Sequence, residues 1–150
     1  MTAQRVECAA ALARVAQFYA SLSVASLPQL TTIYAPGASF KDPFNDVRGH
    51  AAILHIFEHM FAQLEQPRFF IGSQFARDGE AFLTWEFTFR MKRRGSAAQC
   101  IRGASHLRFA SDGLVTMHRD YWDAAEELYE KLPLLGSLMR WLKRMVNGSG

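Results

Sequence analysis

Two stretches of the chain place ionisable side chains where they could move a proton. In FKDPFNDVRG, residues 40–49, Asp42 stands directly before Pro43 at the end of an apolar run. A residue before proline is pushed toward extended backbone, so Asp42 is expected at a strand end. There it is either a solvated turn residue or a carboxylate at the mouth of a pocket. In VTMHRDYWD, residues 115–123, alternation puts His118, Asp120 and Trp122 on one face of a strand. An imidazole and a carboxylate so spaced could share a substrate proton, and a surface pair near the sheet edge is the plainer reading. The residues alone leave both open.

A third constellation, His55-Ile56-Phe57-Glu58-His59, matches H-x-x-E-H, in which two helical histidines ligate zinc and the glutamate acts as base. On a helical wheel these three polar residues fall opposite Ile53, Phe57, Met60 and Leu64. A solvated helix face is therefore expected, and no metal site. Cys8 and Cys100 make no metal or disulfide spacing and suit a reducing compartment. No cofactor is expected.

These groups must be held by the elements around them. Val15, Phe18, Tyr19 and Leu22 recur at helical spacing, predicting a first helix that ends near Ser23. A short helical piece opens at Leu27-Pro28 and runs through Tyr34, and Ala38 to Asp42 reads as a short strand. A long helix is expected from His50 to Gln66. From Arg68 to Trp122 the pattern is of strands punctuated at Asp78-Gly79, Gly95 and Asp112-Gly113, which predicts a four-stranded antiparallel meander. In its third strand Ile101, Gly103, Ser105, Leu107 and Phe109 alternate with Arg102, Ala104, His106 and Arg108, giving one core face and one polar face. In the second strand Trp85, Phe87, Phe89 and Met91 make the same kind of apolar face. AAEELYEKL and LLGSLMRWLKRMV then read as a helical tail over 124–147.

With 150 residues, 49% hydrophobic and 21% charged, the chain is expected to form one folded domain, 1–150, with its core at about 10–123. The net charge of +3 is mild, and its basic residues accompany no recognition motif, so nucleic acid is not an expected partner. The N-terminal segment has a helical period with an acid inside it, unlike a signal peptide or membrane span, and a cytoplasmic location is the default expectation. The basic amphipathic tail could lie on a membrane. The competing reading, preferred here, is that Leu134, Leu135, Leu138 and Leu142 cover the open end of the domain.

AQFYASLSVASLPQLTTIYAPGASFKDP, residues 16–43, aligns without a gap to the opening of the bacterial ketosteroid isomerases, and GASHLRFASDGLVTMHRDYWD, residues 103–123, resembles their closing strands. With the order of elements, this identifies the chain as resembling the nuclear transport factor two-like superfamily of ketosteroid isomerases and SnoaL-like polyketide cyclases. The resemblance implies an α+β cone, a curved antiparallel sheet wrapped around N-terminal helices, with the C-terminal helical tail as an addition. It also implies a homodimer paired through the outer sheet face.

The resemblance places the isomerase base on Asp42, a carboxylate on an apolar wall. The oxyanion tyrosine falls on Phe18 and the protonated aspartate on Ser105, while a pocket tyrosine survives as Tyr34. Each lost donor is worth roughly 3 kcal/mol of barrier, so efficient steroid isomerisation is not expected. The stretch HRDYWD is similar to the end of the limonene-epoxide hydrolase sheet, whose catalytic acid falls on Asp120. The Arg and Asp partners of that acid fall on Glu86 and Thr88, and the water-holding Asn falls on Asp42.

The expected pocket is bounded by Phe18, Tyr34, Phe57, Trp85, Ser105, His118, Asp120 and Trp122. The first functional expectation is an isomerase, cyclase or hydrolase acting on a hydrophobic small molecule, with Asp42 as general base and Asp120 or His118 as partner acid. The second is a binding or accessory module that holds an apolar ligand in the same pocket without catalysis.

Overall fold

The computed structural model describes residues 2–124 with Glu126, Glu127, Trp141, Arg144 and Met145, and side chains from Glu7 onward. Within these residues the predicted class holds. Three helices pack on a six-stranded, mixed, curved and unclosed sheet.

Helix α1, Thr2–Ala20, turns Cys8, Ala11, Leu12, Val15, Ala16, Phe18 and Tyr19 inward. Ser23 ends this segment and starts the next. Its hydroxyl accepts from the Ser26 N–H at 3.1 Å and its own N–H donates to Ser26 Oγ at 2.9 Å, a reciprocal cap for the 3₁₀ turn Val24–Gln29. A single helical turn, α2, Leu30–Ile33, delivers the chain into strand β1, Tyr34–Lys41.

Two boundaries differ from the sequence expectation. Strand β1 starts at Tyr34 rather than Ala38, and Pro36 is tolerated because the pairing register slips between Tyr34 and Ser39. Helix α3 spans His50–Gln63, three residues short of Gln66, because strand β3, Leu64–Arg77, has already begun. There the pairing slips between Glu65 and Arg68, and Gln66 takes a positive φ of 50° beside Pro67.

The meander is as expected, with β4 at Glu80–Met91, β5 at Gln99–Phe109 and β6 at Val115–Tyr121. The β3–β4 turn holds Asp78 and Gly79 at φ 51° and 81°, the paired positive angles of a tight hairpin. Alternation did not reveal a further short strand, β2, Asp46–Arg48, or the parallel pairing of β1 with β6. The sheet order is β2-β1-β6-β5-β4-β3. Its consequence is local: Phe40 lies opposite His118, so the Asp-Pro turn after β1 sits beside the His118–Asp120 strand.

The inner sheet face supplies Ala81, Leu83, Trp85, Phe89, Ile101, Ser105, Leu107 and His118, all buried. Most of the predicted tail, Leu134, Leu135, Leu138 and Leu142 included, lies outside the described residues. Of that segment, Trp141 packs on the core cluster. No helix among the described residues is long and apolar enough to cross a membrane.

Candidate functional site

Asp42 follows the last residue of β1 and caps its own turn. Its Oδ1 accepts the backbone N–H groups of Phe44 at 2.8 Å and Asn45 at 2.6 Å. The Asn45 side-chain amide donates to both oxygens, at 3.0 and 2.9 Å. Asp42 nevertheless lines a cavity and is largely buried, so it is a turn residue that faces a pocket and not a solvated one. Burial pushes its carboxyl above the ordinary 3.8, the Asn45 and Phe44 donors oppose that shift, and the charge of Asp120 adds to it.

His118 and Asp120 are joined. The His118 Nε2 lies 2.6 Å from Asp120 Oδ1, which also accepts from the Ser105 hydroxyl at 2.5 Å. Ser105 in turn accepts the Trp85 indole N–H at 2.9 Å. On the far side of the imidazole, Nδ1 lies 2.7 Å from the Tyr34 hydroxyl, which touches the Tyr19 hydroxyl at 2.5 Å. A neutral His118 fixes the hydrogens along this chain: Nε2–H donates to Asp120, Nδ1 accepts from Tyr34, and Tyr34 accepts from Tyr19, whereas an imidazolium would donate at both nitrogens. Burial raises both phenols well above 10, with the neighbouring phenol and the Asp120 charge adding for Tyr19. They stay protonated, and the relay ends on one carboxylate oxygen.

The cavity has a volume of about 110 Å³. One water needs roughly 10–15 Å³, so a compact organic molecule fits. Asp42, Asp120, Asn45 and Tyr19 make its polar wall, and Phe40, Phe44, Phe57, Phe69, Trp85, Phe87, Phe89, Trp122 and Trp141 make most of the rest. Of the expected pocket residues, Phe57, Trp85, Asp120 and Trp122 line it. Ser105 and His118 stand behind, against a second void of about 10 Å³ shared with Asp120. Phe18 and Tyr34 line neither cavity. Tyr34 is fully buried, and Phe18 packs edge-on against Tyr19 with ring centroids 5.5 Å apart.

Of the polar wall, the sequence reading therefore missed Asn45 and Tyr19. Tyr19 was visible in the helical stripe, but the ungapped alignment pointed to its neighbour, and adjacent helical residues project about 100° apart. Phe87 and Phe89 were legible as an apolar face and not as a cavity wall. The residues of the H-x-x-E-H motif lie away from this cavity's polar wall. His55 and Glu58 are exposed, while His59, half-buried, stacks on Trp141 at 6.3 Å between ring centroids. No group of three metal-ligating side chains occurs among the described residues.

A family model for the SnoaL-like domain matches residues 15–118, more than half of the chain. The chain belongs to the SnoaL-like family. The matched span contains Tyr19, Asp42 and His118 and stops just before Asp120. This SnoaL-like chain has no sequence match among functionally curated proteins. Its fold is similar to that of a Shewanella putrefaciens protein that carries the name SnoaL-like polyketide cyclase, with TM-score 0.70, 16% identity, and 83% and 97% of the two chains covered. A nuclear transport factor two-like protein of unknown function from Burkholderia pseudomallei gives TM-score 0.69 at 12% identity, covering 82% and 95%. A Catenulispora acidiphila protein with a ketosteroid isomerase-like fold, solved with trimethylamine, gives 0.66 at 15%, covering 79% and 89%. These likenesses show the fold of the SnoaL-like chain and no more.

Proposed function

We propose that the protein is an acid–base enzyme acting on a largely apolar small molecule in the cavity between Asp42 and Asp120. The observation that carries this reading is that both carboxyl groups face one aromatic-walled space while His118 and Ser105 grip a single oxygen of Asp120. That arrangement leaves Oδ2 of Asp120 for substrate. It orients the carboxylate as a general base, while burial favours a proton on Asp42 and suits it to act as the acid.

The roles are thus exchanged relative to those implied by the ketosteroid isomerases, where the acid of the Asp-Pro turn is the base. The reaction class is proton transfer at carbon, in which Asp120 takes the proton from carbon and Asp42 supplies one, or hydrolytic opening of a strained ether, in which a solvent water bonds to the ring carbon and gives its proton to Asp120 while Asp42 protonates the departing ether oxygen. His118 is a positioning residue that keeps Asp120 oriented.

A panel of ketones and epoxides tests this, by deuterium uptake from solvent and by ring opening. Asp120→Asn is expected to lower any turnover by about 10²–10⁴-fold. Turnover equal to wild type in both Asp120→Asn and Asp42→Asn would overturn the proposal. The second reading, a non-catalytic holder of an apolar ligand, is favoured by the four hydrogen bonds that tie down Asp42. It predicts ligand copurification, and affinity for that ligand that survives Asp42→Asn.

A further inference from the structure

The lining of the main cavity is unbalanced in charge. Two carboxyl groups, Asp42 and Asp120, face it, and among the described residues no lysine, arginine or histidine lines it. Asp120 has His118 behind it, but that imidazole is spent on Oδ1, as is the Ser105 hydroxyl. A carboxylate taken out of water and left partly unpaired costs free energy that a positive partner would recover.

The hydrogen directions sharpen this. With His118 neutral and accepting from Tyr34 at Nδ1, the Tyr19 hydroxyl gives its proton to Tyr34, so its lone pairs are what remain for a ligand. The Asn45 amide nitrogen is committed to both oxygens of Asp42. Together with Asp120 Oδ2 these make the polar wall chiefly an acceptor surface, whose uncommitted donor is the proton that burial favours on Asp42. An anion finds no positive partner there among the described residues.

The apolar wall points the same way. Phe44 and Trp122 pack at 5.4 Å between ring centroids, and Phe69 lies within 5.7 Å of both Trp85 and Phe87. Aromatic faces attract a weakly hydrated cation, the more so where water is excluded.

We propose that the cavity selects a cationic ligand, a protonated or quaternary amine with apolar substituents, held between the Asp42 and Asp120 carboxyls and the aromatic wall. The proposal rests on the reading of this cavity as a small-molecule site and not on any turnover there. A neutral ligand of the same shape gains the apolar contacts but brings no positive charge to the two carboxyls, whose partners are the hydrogen-bond donors already named.

The test is titration of the full chain with benzyltrimethylammonium and with its neutral carbon isostere, neopentylbenzene, followed by tryptophan fluorescence and by calorimetry. Trp85, Trp122 and Trp141 line the cavity and serve as reporters. The ammonium compound is expected to bind at least about tenfold tighter. Asp120→Asn and Asp42→Asn are each expected to reduce that preference while leaving the isostere unaffected. Equal or tighter binding of the isostere to the wild-type chain overturns the proposal but leaves the small-molecule site standing. Binding of neither compound overturns both.

Discussion

His118 and Asp120, two residues apart on β6, meet side chain to side chain at 2.6 Å between Nε2 and Oδ1. The contact is possible because residues i and i+2 share a face of a strand. It is made directional by what stands behind it. Tyr34 holds the other ring nitrogen, and Ser105 on the neighbouring strand approaches the same carboxylate oxygen. Ser105 and Asp120 are cross-strand partners in register, so the sheet itself sets that approach.

The Tyr19–Tyr34–His118 chain predicts a non-additive pair of mutations. Tyr34→Phe removes the donor to Nδ1, yet Tyr19 already lies 3.4 Å from that nitrogen and can turn to it. The single variant is expected to lose only about 1 kcal/mol in urea denaturation. Tyr19→Phe and Tyr34→Phe together leave Nδ1 unpaired, and the double variant is expected to lose more than the sum of the singles. Strict additivity would show that the two hydroxyls do not substitute for each other.

Burial raises the Asp42 carboxyl above its unfolded value. Between those two values the folded chain binds more protons than the unfolded one, so stability falls as pH rises through that window. Asp42→Asn remains neutral and keeps an oxygen for the Phe44 and Asn45 N–H groups. Denaturation midpoints between about pH 4 and pH 7 are expected to decline less in Asp42→Asn than in wild type. A steeper decline in the variant would contradict the assignment.

Gly103 lies opposite Trp85 in the sheet, and a Cβ there would come within 2.5 Å of the indole Cη2. Gly103→Ala must push the ring, which both walls the cavity and donates to Ser105. A loss of about 1–3 kcal/mol and a changed near-ultraviolet tryptophan dichroism are expected. A variant with wild-type stability and spectrum would mean that the ring moves freely.

The outer sheet face carries Phe75 and Phe82 as exposed cross-strand partners, with Phe82 stacked on His106 at 4.4 Å. If this face pairs two copies, as the resemblance to ketosteroid isomerases implies, Phe75→Glu with Phe82→Glu puts charge into the interface. Light scattering is then expected to give a dimer for the wild type and a monomer for the variant. A wild-type monomer ends that expectation.

Much of the fold was legible because its signals are local. The alternation in Arg68–Trp122 gave the meander, and Asp78-Gly79 marked its first turn through backbone angles that depend on few neighbours. The helix stripe of Val15, Phe18 and Tyr19 likewise named the buried face of α1. The boundary errors at Ala38 and Gln66 arose where a proline and a register slip coincide, since whether a strand tolerates proline depends on its partner strand.

The site divides along the same line. Residue types and spacing singled out Asp42, His118, Asp120 and Trp122 as candidates, because an acid before proline and an alternating His-Asp-Trp carry their geometry within a few residues, and the family resemblance tipped them from surface to pocket. Only the tertiary structure brought the Asp-Pro turn beside β6, through a parallel pairing with no sequence signature, and chose Tyr19 over Phe18 by the rotation of one helix against the sheet. Only it turned Ser105, His118 and Tyr34 from lining residues into a buried relay. A hydrogen-bond chain across α1, β1, β5 and β6 depends on distances between distant segments, and packing sets those distances.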